Sequence, residues 1–121
     1  MPALPVRIVA VIDDDRRVLT SLANLLASGG YGTRSYESAL DFFSDGHADL
    51  VCVITDLGMR PINGMQVLES AVHWDPAIPV IIITGKPGDH TGSDYLRRGA
   101  VGFFSKPIDG DALLNLLDRI V

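Results

Sequence analysis

Three short apolar runs organise the chain, at residues 8–12, 50–54 and 80–83. They are rich in Val and Ile and do not alternate with polar residues, which is the pattern of strands covered on both faces, as in a parallel sheet. Weaker strand signals occupy 33–36 and 101–104. The segments between them carry helical spacing. Val18, Leu19, Leu22, Leu25 and Leu26 form one apolar stripe, with Gly29 and Gly30 as its stop. Ser38 can cap a second helix bearing Ala39, Leu40, Phe42 and Phe43. A third is expected over about 65–74, ending before Pro76. A last one, from about Asp109, presents Ala112, Leu113, Leu116, Leu117 and Ile120 on one side. The stretch 86–98 holds Pro87, Gly88 and Gly92, so any helix there should be short or mobile.

Five strand–helix pairs predict an α/β domain of (βα)5 type. Right-handed crossovers then give an open, doubly wound parallel sheet with helices on both faces. Such sheets bind ligands outside the carboxyl ends of their strands. Those ends are where the polar residues stand: Asp13, Asp14 and Asp15 after the first strand, Thr55 and Asp56 after the third, Thr84 and Gly85 after the fourth, and Ser105, Lys106 and Pro107 after the fifth.

Composition narrows the chemistry. The 121 residues, 47% hydrophobic and 21% charged, suit one globular domain spanning 1–121. A net charge of -5 argues against direct nucleic-acid binding by this chain, and Arg97 with Arg98 is too small a cluster for a basic patch. The apolar run at 8–12 is too short for a membrane span, so a cytoplasmic location is expected. Cys52, alone and in an apolar setting, reads as a buried inert thiol. His47, His73 and His90 lie in polar loops or at helix ends and read as solvated. Asp15 reads as a helix cap.

A convergence of Asp13, Asp14 and Asp56 is costly. Two carboxylates about 5 Å apart repel by about 3 kcal/mol at an effective dielectric near 20. Lys106 offsets one charge, and a small hard divalent ion suits the rest, since an all-oxygen set without His or Cys favours Mg2+ over zinc. Carboxylate, metal, ammonium and hydroxyl together are what phosphoryl transfer onto an aspartate requires. Asp56 is the better nucleophile, because Asp13 and Asp14 adjoin each other in the manner of metal ligands.

The segments VIDDD, VITDLGM, IITG and FFSKPI, in this order and on these elements, resemble the receiver domain of two-component response regulators over essentially the whole chain. The spacing from Asp56 to Gly64 and from Thr84 to Gly99 is similar too. SYESALDFF and ITG look most similar to the FixJ-type branch, which often carries a C-terminal DNA-binding helix-turn-helix. The resemblance implies a flavodoxin-like, CheY-like fold with strand order 2-1-3-4-5. It implies that Asp56 accepts phosphate from a sensor histidine kinase or phosphotransfer protein. Asp13, Asp14, Asp56 and the Gly58 carbonyl would bind Mg2+ (or Mn2+), and Thr84 and Lys106 would hold the phosphoryl oxygens. It further implies a cis Lys106–Pro107 bond and a switch through Thr84 and Phe103. That switch would alter the surface of the fourth helix, fifth strand and fifth helix for homodimerisation or partner docking.

The sequence departs from the family pattern at Pro61, one place later than usual, and at the Gly/Pro-rich fourth connection. Gly58 and Lys86, at two positions that tune phosphate lifetime in the family, offer no side chain suited to orient water, which predicts slow loss of phosphate. The residues after Pro107 suffice for the last helix only, so the expectation is a stand-alone receiver or the regulatory half of a longer regulator, without an output domain in these residues. Three other readings fit less well. A haloacid-dehalogenase-type phosphatase would use Asp13 and Asp15, but Arg17 breaks its motif. A flavodoxin would need a hydroxyl-rich loop where three carboxylates stand. A pseudo-receiver would not need the intact acid, threonine and lysine set.

Overall fold

The structure, a computed structural model, describes residues 6–85 and 92–121. Strands β1 (Ile8–Ile12), β2 (Gly32–Tyr36), β3 (Leu50–Asp56), β4 (Val80–Thr84) and β5 (Gly102–Ser105) form one parallel sheet in the order β2-β1-β3-β4-β5. The helices that alternate with them are α1 (Arg16–Ser28), α2 (Ala39–Asp45), α3 (Gly64–Ala71), α4 (Gly92–Arg97) and α5 (Gly110–Ile120). This is the flavodoxin-like order expected above.

The non-alternating apolar runs are explained by two cores, one on each face. Val9, Val11, Cys52, Ile54, Ile81 and Ile83 pack against Leu19, Leu22 and Leu26 of α1 and Leu113 and Leu117 of α5. Ala10, Ile12, Val53 and Ile82 point the other way, onto Phe42, Val67, Leu68, Ala71 and Tyr95. Cys52 is fully buried, and burial pushes its thiol up to about 12, so it is an inert core residue.

Local signals place most helix ends. Asp15 caps α1 by accepting from the Arg17 N–H, Ser38 caps α2 through Asp41, and Asp109 caps α5 through Ala112. One helix differs from expectation, and one is as short as expected. α3 stops at Ala71 rather than near Trp74, because His73 and Trp74 donate to Ser70 and Ala71 in tighter turns. α4 (Gly92–Arg97) spans six residues, short as its Gly/Pro-rich stretch implies; Lys86, Pro87, Gly88 and His90 lie outside the described residues. The turn after α4 closes at Gly99, whose φ of +111° lets the Ala100 N–H return to the Tyr95 carbonyl at 3.0 Å. His47 is also corrected. It is half-buried, its ring stacked on Trp74 at 3.7 Å and 4°, because an imidazole beside an indole covers apolar surface that water would otherwise meet.

Candidate functional site

Each carboxyl-end residue reaches the rim because its strand delivers it there. Asp13 follows β1 directly, and its N–H still pairs with the Tyr36 carbonyl of β2 at 3.0 Å. The chain then turns: Asp13 Oδ1 accepts from the Asp15 N–H at 2.9 Å, which points Asp14 outward and starts α1 at Arg16. Asp56 is the last residue of β3 and Thr84 the last of β4. Lys106 follows β5, held by its own N–H on the Thr84 carbonyl at 2.8 Å, and the Lys106–Pro107 bond is cis.

The acids converge. Carboxylate oxygens of Asp13, Asp14 and Asp56 all lie within 4.8 Å of one another. Asp13 is wholly buried, while Asp56 and Thr84 keep 7% and 6% of their surface, enough for a small ligand to touch them. Lys106 Nζ stands 2.8 Å from Asp13 Oδ2 and 3.3 Å from Asp56 Oδ1. The Asp13 pair is an ion pair without hydrogen-bond alignment, so this buried oxygen faces a charge yet has no aligned donor.

The charge balance follows. Burial raises the Asp13 carboxyl above its usual value and the Asp56 charge adds to this, against the pull of Lys106 and the Asp15 N–H. For Lys106, burial works against the charge, but the contact with Asp13 and the fields of Asp13 and Asp56 outweigh it and hold the ammonium above its ordinary value. One ammonium among three carboxylates leaves an excess of negative charge. An oxygen-only donor set containing a buried oxygen without an aligned donor fits a hard divalent cation. The Gly58 backbone lies alongside, since a Cβ there would come 3.9 Å from Asp56 Oδ2.

The loop after Asp56 is closed by a tight approach. A Cβ on Gly64 would stand 2.3 Å from the Asp56 carbonyl oxygen, so only glycine lets α3 start this close to the acid. Asn63 and Gln66 form a reciprocal capping box that fixes the helix entry. The Arg60–Pro61 bond in this loop is cis. Phe103 does not point into the acidic crevice. It is half-buried on β5 and stacks on Tyr95 of α4 at 5.2 Å and 11°. The sequence reading missed Tyr95. Its only signal was a large aromatic residue in a Gly/Pro-rich stretch, and its pairing with Phe103 comes from packing alone.

A parallel (βα)5 sheet with an acid cluster, a lysine and a hydroxyl at its carboxyl edge defines a class of α/β domain. The family model for the response regulator receiver domain matches residues 9–118, and the chain belongs to that family. It is similar to the transcriptional regulatory protein FixJ of Azorhizobium caulinodans, with 35% identity over 107 residues, 88% of this chain and 51% of that protein. It is similar to the response regulator protein TmoT of Ectopseudomonas mendocina at 30% over 111 residues, 91% and 50% of the two chains. The chain thus spans about half the length of the curated relatives it matches. The crystal structure of a response regulator receiver domain protein from Clostridium thermocellum superposes with a TM-score of 0.84 at 25% identity, covering 95% of this chain and 94% of that one. The chain is a signalling domain of two-component systems. No helix among the described residues is long and apolar enough to cross a membrane.

Proposed function

We propose that this domain accepts a phosphoryl group on Asp56 from a phosphohistidine of a sensor kinase or phosphotransfer protein. The observation that carries this reading is the meeting of Asp13, Asp14 and Asp56 within 4.8 Å, with Lys106 on two of them. Asp13, Asp14, Asp56 and the Gly58 carbonyl would hold Mg2+ or Mn2+. The ion supplies positive charge to the oxygens of the transferring group.

The chain's own residues do the rest. An Asp56 Oδ lone pair forms the new O–P bond while the donor's N–P bond breaks, its electron pair remaining on the imidazole nitrogen. The Lys106 ammonium, held charged by its neighbours, takes up developing negative charge beside Asp56. Thr84, at the end of the adjacent strand, donates its hydroxyl to a phosphoryl oxygen. Drawing Thr84 toward the phosphate frees space for Phe103 to turn inward, which shifts the population of the α4-β5-α5 surface. Leu96 and Val101 stand exposed there, at 47% and 37%, as material for homodimerisation or partner docking. The domain works in the cytoplasm as a phosphoacceptor rather than as an enzyme with a free substrate. Residues 1–121 act as one receiver unit, and any DNA binding belongs to a different domain.

The test is intact mass after incubation with Mg2+ and acetyl phosphate. Wild type gains one phosphoryl group, and Asp56→Asn or added chelator abolishes the gain. A wild-type chain that gains nothing, and that also fails to respond to beryllofluoride, would be a pseudo-receiver that binds partners without phosphorylation.

A further inference from the structure

Asp56 sits where the sheet gives out on one side. Its pairing with β4 persists, as the Asp56–Ile83 register pair and the Leu57 N–H on the Ile83 carbonyl at 2.9 Å show. On the other side, the pairing of β3 with β1 ends at Ile12–Thr55, one residue short of Asp56. Along β3 the N–H groups of Val53 and Leu57 point to the β4 side, so the intervening even-numbered peptide groups, that of Asp56 included, face β1. There β1 has already turned away into Asp13, Asp14 and Asp15.

The hydroxyl of Thr55 stands in for the missing ladder. Thr55 is fully buried, and its Oγ1 donates to the Asp56 carbonyl at 3.1 Å. Its neighbours across the sheet are the apolar Ile12 and Ile82, and valine would fill the same volume. A hydroxyl in such a place costs free energy unless it is hydrogen-bonded. The bond it makes closes a short ring through ψ of Thr55 and both backbone torsions of Asp56. The Gly64 backbone also lies close to this carbonyl, since a Cβ on Gly64 would stand 2.3 Å from its oxygen. The Asp56 peptide is thus held by the Thr55 hydroxyl, with the Gly64 backbone close by, and the direction of its carboxylate follows from those torsions.

We infer that Thr55 is a positioning residue for phosphoryl transfer, its hydroxyl aligning the Asp56 carboxylate for in-line attack. This rests on Asp56 being the phosphoacceptor. A small misalignment of a reacting group costs one to two powers of ten in rate. With acetyl phosphate as donor, the Asp56 oxygen forms the O–P bond as the donor's P–O bond breaks and acetate leaves with the electron pair; no proton is transferred.

The experiment follows phosphorylation of wild type, Thr55→Val and Thr55→Ser by intact mass over time, at saturating Mg2+ and acetyl phosphate, beside thermal melts. Thr55→Val should reach the same final stoichiometry with a rate constant roughly tenfold lower. Thr55→Ser, which keeps the hydroxyl, should return to within about twofold of wild type. A merely structural role would lower the folded fraction and hence the final stoichiometry, leaving the rate constant of the folded molecules unchanged. Equal rates for Thr55→Val and wild type would overturn the inference alone. So would a Thr55→Ser variant as slow as Thr55→Val, which would assign the effect to the lost methyl group. Should Thr55→Val not fold, Thr55→Ala beside Thr55→Ser decides: equal rates for the two overturn the inference, and a roughly tenfold slower alanine variant sustains it. A wild type that takes up no phosphate overturns this inference together with the reading of Asp56.

Discussion

The helices on either side of the acidic rim are built to different standards. α1 runs for thirteen residues from a side-chain cap at Asp15 and buries Leu19, Leu22 and Leu26. α4 runs for six, and Tyr95 is its buried side chain among the described residues. A helix as short as α4 has almost no stability of its own and depends on tertiary packing. That packing includes the Tyr95–Phe103 stack and the glycine turn that returns the chain to β5. The difference teaches which side of the rim rests on deep core packing and which does not. The α1 side is anchored in the core by Leu19, Leu22 and Leu26. The α4 side, with a single buried side chain among its described residues, joins β5 through an aromatic joint, Tyr95 on Phe103.

The largest expected effect tests that contrast directly. Leu26→Ala, which removes a side chain with no exposed surface, should cost about 2–5 kcal/mol of unfolding free energy in urea titrations. Leu96→Ala on α4, at 47% exposure, should change it by less than ~0.5 kcal/mol. Comparable losses would show that α4 carries as much of the fold as α1.

A change at the joint itself is expected to be somewhat smaller overall and far more local. Tyr95→Ala should cost about 3 kcal/mol through lost burial and stacking. Amide hydrogen exchange should then rise along α4 and at Phe103 while α1 keeps its protection. Equal loosening of both helices would mean that they form one cooperative unit and that the distinction fails.

The smallest effect sharpens the picture of the anchored side. Tyr31 donates its hydroxyl to Asp118 of α5 at 2.7 Å, and burial with help from Asp118 pushes its phenol up to about 12 from an ordinary 10.0. The folded chain therefore keeps a proton that the unfolded chain has lost between these values. The stability this contributes is fully present below pH 10, and it falls as pH rises toward about 12. Tyr31→Phe should flatten that part of the alkaline decline, read as melting temperature against pH. An unchanged slope would remove Tyr31 from the account.

Much of the architecture was legible because local chemistry and tertiary demand agree. The apolar runs became strands within one or two residues, since a doubly covered strand has no reason to alternate. Asp15, Ser38 and Asp109 announced helix starts through their side-chain oxygens. The rim residues could be read because each follows an apolar run directly. Where the outcome depends on partners remote in sequence, the reading stopped short. The end of α3 was misjudged by three residues, Ala71 against Trp74, and His47 was placed in water though it stacks on Trp74. Gly64 was visible as a spacing, but its reason, the backbone of Asp56 at its side, is a contact across a loop.

By itself, then, the sequence determined the set of strands and helices, the handedness of their connections and the residues at the carboxyl edge, because periodicity, capping and chirality act within a few neighbours along the chain. The family pattern in its motifs added the strand order. Only the tertiary structure decided that Lys106 lies on both Asp13 and Asp56, that Tyr95 holds Phe103, and that the Thr55 hydroxyl takes over where β1 leaves the sheet. Those contacts join residues set by sheet register and helix packing, which no short stretch of chain encodes.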